Sequence, residues 1–345
     1  MFIADRNVYG IDLNPVAVEL AEVSLWLNTI YEGGFVPWFG TQLVNGNSLI
    51  GARRQVYRIE NAQSTSKGLR WYEMEPDRVP LGTKRMPKKQ VYHFLLGDPG
   101  MCSYSDKVIK QLEPENIKEM KDWNKKFIRP VTDDEVVTLL RLSAAIDELW
   151  KAQIQLRKEV GAKTQDSLSI FGYTDDAEDS HTTIRQKDKI FSELYKSEHM
   201  RNAGPYARLK FAMDYWCALW FWPIDKANLL PTRSEFLFDM SLILEGTTKS
   251  VLVTDTTTDK ENIYGQISMF PTEMQKIEAK IFDLYSDIGE VDIPALRKQN
   301  PRLDLAAQIA EQNKFMHWEL EFADLFAERG GFDLIIGNPP WIKIE

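Results

Sequence analysis

Apolar side chains at Val16, Leu20, Val23, Leu27 and Ile30 recur every three or four positions, a spacing that predicts a helix with one buried face. Asn14-Pro15 supplies its N-cap and a proline at the first helical position, and Gly33-Gly34 supplies its stop. Residues 7–11 before it read as a short buried strand. Residues 42–45 after it read as a second, leading into the turn Gly46-Asn47-Ser48. Strand, helix, strand is the opening of a parallel α/β unit.

That rhythm then stops. Residues 51–314 read as an insertion that is mainly helical with irregular connectors. Its clearest helix starts at Thr132, spaced from Glu135 as in a capping box, and continues through Val136, Leu139, Leu140, Ile146, Leu149 and Trp150. It is expected to pack as a hairpin arm. Residues 175–183 are acidic and polar, a predicted loop. Residues 206–221 form an apolar helix ended by Pro223; it is apolar on all sides, which favours core packing of its aromatics over base stacking. Further helices are predicted at 272–285 and 295–311, and no internal repeat is visible. The α/β pattern returns at residues 332–337, a short apolar run after Gly330-Gly331 that reads as a buried strand. The predicted fold class is therefore α/β, a partial Rossmann-like sheet interrupted by a long helical insertion. Its parts are residues 1–50, 51–314 and 315–345.

Composition narrows this picture. With 345 residues and 43% hydrophobic side chains the chain can bury a sizeable core. No apolar run approaches the ~20 residues that span a bilayer, and no signal segment opens the chain, so a cytoplasmic location is expected. Cys102 and Cys217 are far apart and fit neither a disulfide framework nor a zinc cluster. His93, His181, His199 and His317 lack ligand spacing, so no metal is expected and these are read as structural or surface residues. The net charge of -9 argues against a protein that coats nucleic acid along its length. Residues 51–89 nonetheless hold ten basic against four acidic residues. Arg53, Arg54, Lys84, Arg85, Lys88 and Lys89 are the candidates for phosphate contact, the alternative being a solvated charged face.

Candidate chemistry lies in Gly337-Asn338-Pro339-Pro340-Trp341, just past the last predicted strand, where parallel sheets place ligand chemistry. An exocyclic amino group on adenine is a poor nucleophile because its lone pair is delocalised into the ring. The side-chain oxygen of Asn338 and the main-chain carbonyl of Pro339 can each accept one amino hydrogen and aim that lone pair at a methyl donor. Pro339 and Pro340 stiffen the turn, and Trp341 offers a face on which an extruded base can stack. Asp12, at the end of the first predicted strand, can accept the ribose hydroxyls of a nucleoside cofactor, with Leu13 beside it. Asn47 and Ser48 stand at the end of the next strand, where the Asn47 amide can read an adenine edge. The alternatives are a helix-terminal charge for Asp12 and a plain turn residue for Asn47.

Three segments, residues 8–15, 46–49 and 337–341, resemble the large adenine-specific DNA methyltransferases of restriction-modification and phage-defence systems. Residues 315–322 are similar to the stretch that commonly precedes the catalytic loop in these enzymes, and 93–107 and 205–224 look like parts of the defence-associated branch. The resemblance implies a class I methyltransferase fold and S-adenosyl-L-methionine as cofactor, with Asp12 at its ribose and Asn47 at its adenine. It implies double-stranded DNA with a flipped adenine as substrate, held by Asn338, Pro339 and Trp341, and further restriction or defence subunits as partners. There are departures: the family usually has Asp where this chain has Asn47. Its glycine-rich cofactor loop would precede the first strand, and its recognition domain would follow the catalytic loop. The expectation is thus a piece of a longer enzyme that alone neither binds cofactor well nor methylates. Two alternatives stay open, a protein glutamine-amide methyltransferase and a non-catalytic helical module of a defence complex.

Overall fold

A computed structural model of the chain describes residues 1–30, 36–166, 182–246 and 292–338. These form a mixed α/β structure, mostly helical, with two small sheets. Helix α1 (Phe2–Asn7) leads into β1 (Gly10–Asp12); α2 (Pro15–Leu27) follows and the chain returns to β2 (Leu43–Asn45). The two strands pair in parallel, Gly10 opposite Leu43 and Asp12 opposite Asn45, which is the expected unit. Asn14 caps α2 as predicted, its side-chain oxygen accepting from Val16 N at 3.0 Å.

Two features of this unit differ from expectation. The strand begins at Gly10 rather than residue 7 and is half-buried to exposed rather than buried: Asn7 ends a helix, and the Gln42 amide ties that helix to the sheet by donating to the Ala4 and Val8 carbonyls at 3.1 and 2.8 Å. The predicted buried face of α2 points outward: Val16, Leu20, Val23, Leu27 and Ile30 are 46–61% exposed. Ala17, Val18, Ala21 and Leu25 are the half-buried residues instead. The helix is apolar around most of its circumference, so two strands cover one flank and leave the other open.

A second, antiparallel sheet has β3 (Gln55–Arg58) between β4 (Asp77–Arg78) and β5 (Gln90–Tyr92). The helices that follow are α3 (Ile59–Gln63), α4 (Lys107–Leu112), α5 (Pro114–Phe127), α6 (Asp133–Thr164), α7 (Ile184–Leu194), α8 (Glu198–Ala203), α9 (Pro205–Ala218) and α10 (Arg233–Glu245). After the next described stretch begins come α11 (Ile293–Gln299), α12 (Pro301–Asn313), α13 (Trp318–Glu321) and α14 (Ala323–Arg329). The predicted helix over 295–311 is split at Asn300, whose side chain caps α12 by accepting from Arg302 N at 3.1 Å. The predicted helix at 272–285 and most of the predicted loop at 175–183 lie outside the described residues.

Helix α6 is not a hairpin arm. It has the capping box expected at Thr132 and Glu135, but it runs through the middle of the molecule against α7, α9, α10 and α14. Its buried stripe is Leu139, Leu142, Ile146, Trp150, Gln153, Arg157 and Val160, a spacing of three and four throughout. Gln153 and Arg157 hide this stripe from a hydrophobic pattern, and the burial of Arg157 is compensated by Asp324 of α14 at 3.1 Å. Of the aromatic run Tyr215 and Trp222 are fully buried, as core packing requires, whereas Trp216 and Trp220 are half-buried and Phe221 is exposed. Cys102 and Cys217 are buried free thiols, and burial pushes the Cys102 thiol up to about 12. No described helix is long and apolar enough to cross a membrane.

The final apolar run is not a buried strand. Leu334, Ile335 and Ile336 are 74, 67 and 86% exposed, and no strand is assigned over residues 332–338. Among the described residues no strand lies alongside it, and an extended segment without a neighbour has no ladder to join. Pro339, Pro340 and Trp341 lie outside the described residues.

Candidate active site

The carboxyl ends of β1 and β2 are Asp12 and Asn45, side by side. Asp12 is exposed, and its Oδ1 accepts from Asn14 N at 2.7 Å, which turns the chain into α2. The Asn45 amide donates to the carbonyls of Asp12 and Leu13 at 2.9 and 3.0 Å. Lys314 Nζ donates to the Leu13 carbonyl at 2.9 Å and to Asn45 Oδ1 at 3.0 Å. The loop that carries Asp12 is therefore braced from two directions.

Beyond β2, residues 46–54 run along residues 314–319, which are remote in sequence. Asn47 N donates to the Lys314 carbonyl at 2.7 Å and Asn47 bridges Phe315 in parallel. Met316 N donates to the Ile50 carbonyl at 2.9 Å, Ala52 N to His317 Nδ1 at 2.9 Å, and Trp318 Nε1 to the Ser48 carbonyl at 2.9 Å. The Arg54 amide closes the row by donating to the Glu319 carboxylate. Two glycines allow the close approach. A Cβ on Gly51 would lie 2.0 Å from the Met316 carbonyl oxygen, and one on Gly46 would lie 2.9 Å from Met316 Cβ.

This seam and the β1 end enclose a cleft of about 1200 Å³. Asp12, Leu13, Asn47, Ser48 and Asn338 all line it, so residues separated by most of the chain meet at one opening. Tyr9, Trp318 and Phe332 line it too, with Phe332 edge-on to Tyr9 at 5.4 Å and to Trp318 at 5.6 Å. Arg78 and Glu319, paired at 3.4 Å, add charge to the same wall. Tyr9, Arg78, Trp318, Glu319 and Phe332 were not singled out by their chemistry, although Trp318 and Glu319 fall in the run that precedes the loop. Asn47 Oδ1 accepts from Leu49 N at 3.1 Å, which fixes the side chain within its own turn and leaves a second lone pair.

The six basic candidates divide. Arg53 lines the cleft, and Lys84, Lys88 and Lys89 are exposed but belong to neither cavity wall. Arg54 and Arg85 are buried, contrary to the expectation of phosphate contact. Arg54 donates to the carbonyls of Val79, Pro80 and Thr83 at 3.0, 2.8 and 3.2 Å. Arg85 donates to those of Pro87 and Gln90 at 2.9 and 2.8 Å and pairs with Asp147 at 2.9 Å. These guanidiniums hold the connections around the antiparallel sheet and have no surface to offer a phosphate.

Both buried histidines serve the framework. His317 accepts from Ala52 at Nδ1 and meets Asp214 Oδ1 through Nε2 at 3.0 Å, so the neutral ring carries its proton on Nε2. Burial lowers its pKa, as it does that of His93, which is pushed down to about 4. Among the described residues no group of His, Cys, Asp or Glu is placed to hold a metal ion.

The described structure is of the mixed α/β class, with a parallel strand-helix-strand unit, an acidic side chain at its first strand end and a cleft outside both strand ends. The family model described as Eco57I restriction-modification methylase matches residues 6–345, and the chain belongs to that family. It is thus a methylase of the restriction-modification type. Searches of curated proteins and of solved structures found no match.

Proposed function

We propose that this chain carries the reaction centre for S-adenosyl-L-methionine-dependent methylation of the N6 amino group of adenine in DNA. The observation that carries this reading is that Asn338 lines the same cleft as Asp12 and Asn47. The donor set also fits a nucleoside cofactor: an exposed carboxylate with one oxygen held by Asn14, apolar Leu13 and Leu49 beside it, and a cleft of about 1200 Å³. Asp12 would accept the ribose hydroxyls. Asn47 Oδ1 accepts from Leu49 N and keeps a second lone pair, so Asn47 would read the adenine edge with its amide N–H, its oxygen, or both. The bound cofactor would supply an electrophilic methyl group. Asn338 would accept one amino hydrogen of the target base and direct its lone pair, with Pro339 supplying a second acceptor and Trp341 a stacking face. Arg53, at the cleft wall, is the basic candidate best placed for a phosphate.

Methyl transfer from tritiated cofactor by the full-length protein tests this. Label is expected in adenine of DNA, with Asn338→Ala reducing the rate by about 100-fold or more and leaving the melting temperature unchanged. Label in protein glutamine with DNA unlabelled would overturn the proposal. So would undiminished transfer by Asn338→Ala.

A further inference from the structure

Along an extended segment alternate side chains share a face. Arg54 and Val56 are buried on one face of the β3 segment, and Arg53, Gln55 and Tyr57 lie on the other. All three line a second cavity of about 300 Å³, together with Trp71, Asp98 and Trp216. Its walls are tied in place. Trp71 Nε1 donates to the Gly97 carbonyl at 2.8 Å and Trp216 Nε1 to the Leu96 carbonyl at 2.7 Å, while Asp98 Oδ1 accepts from Gly100 N at 2.7 Å. The polar tips are uncommitted: among the described residues no protein group meets the Arg53 guanidinium, the Gln55 amide or the Tyr57 hydroxyl. Burial, and then the Asp98 charge, push the Tyr57 hydroxyl up to about 12, and the protonated phenol has an O–H to donate. Arg53 also lines the large cleft, and the two cavities therefore adjoin.

Half-buried Tyr57 and Trp216 in the lining, together with a carboxylate and several donors, suit one planar heteroaromatic ring, whereas Trp71 is almost wholly buried. A cationic ligand would meet Arg53, and an aliphatic one would leave the donors unpaired. We infer that this cavity holds one unpaired nucleobase bearing an exocyclic amino group, supplied by the DNA that enters the adjoining cleft. Asp98 accepts from the amino group, and Gln55 and Tyr57 read the remaining edge. The inference rests on the DNA reading of the cleft but concerns a base other than the one methylated.

Fluorescence anisotropy with the full-length protein tests it, using duplexes that carry a single bulged C, A, G or T and a fully paired control. Wild type is expected to bind bulged C, A or G about tenfold more tightly than paired DNA, with bulged T near the control. The preference should fall below about threefold in Tyr57→Phe and in Asp98→Asn, which keeps the Gly100 contact and removes the charge. Both variants should melt with wild type, and the preference should survive in Asn338→Ala. Equal affinity for all duplexes would overturn the inference. So would a preference lost in Asn338→Ala but kept in Asp98→Asn, which puts the base in the large cleft. Free dCMP, dAMP and dGMP are the second arm: if Asp98→Asn abolishes their binding while no bulge is preferred, the cavity serves free nucleotides and the DNA assignment fails. Methyl transfer separates the two proposals, because bulge preference without transfer sinks the proposed function alone, and transfer without bulge preference sinks this one alone.

Discussion

His93 and His317 are neutral in the folded protein because burial strips their charged forms of water, with pKa values held below the ordinary 6.5. Unfolding restores the ordinary value, so below about pH 6.5 the unfolded chain takes up protons that the native rings refuse. The stabilisation is complete above that pH and is lost as pH falls toward the native values. For His93, at about 4, the loss between pH 7 and pH 5 is on the order of 2 kcal/mol. His93→Gln keeps a donor for the Gln55 carbonyl and should flatten the pH dependence of the melting temperature over that interval. Placement was legible in the sequence where it depends on near neighbours. Asp12, at the end of β1, and Asn47, in the turn after β2, were placed by local sequence, and Asn338 lines the same cleft. Arg54 could not be told from Arg53, since burial in the extended segment leading into β3 is decided by alternation along the chain and by carbonyls about 25 residues away.

At the scale of elements, α2 and α6 failed expectation in opposite ways. The periodicity of α2 was real, but a helix apolar on several sides does not reveal which side the sheet will cover. In α6 the stripe was real but longer than its apolar letters, because Gln153 and Arg157 continue it with polar groups partnered inside. The predicted β1, α2 and β2 and the Thr132 capping box were readable because caps and short parallel units are specified locally. The seam between residues 46–54 and 314–319 was not, since it joins distant segments by backbone contacts. Its tightest point makes a clear prediction. Gly51→Ala drives a Cβ against the Met316 carbonyl and should destabilise the protein by about 1–3 kcal/mol, more than Gly46→Ala, whose Cβ meets a side chain. Thermal denaturation of the two variants checks the order.

At the scale of the molecule, an acidic protein with net charge -9 keeps its basic residues in two populations. Arg54 and Arg85 hold connections together, whereas Arg53, Lys84, Lys88 and Lys89 face solvent or the cleft. Changing Lys84, Lys88 and Lys89 together to Ala should reduce the dependence of DNA affinity on salt, by about 0.9 in the logarithmic slope for each lysine that meets a phosphate. An unchanged slope would place those lysines away from the duplex. Arg54→Ala should instead lower the melting temperature by leaving three carbonyls without their donor. The seam has a further consequence for how the chain folds. The hydrogen bond from Ala52 to His317 closes a loop of 265 residues, at an entropic cost near 5 kcal/mol beyond the constant term. Little of that cost is recovered until the helices between have collapsed. The cleft is therefore assembled late, and capture of a ligand there during refolding would time the arrival of the finished native state.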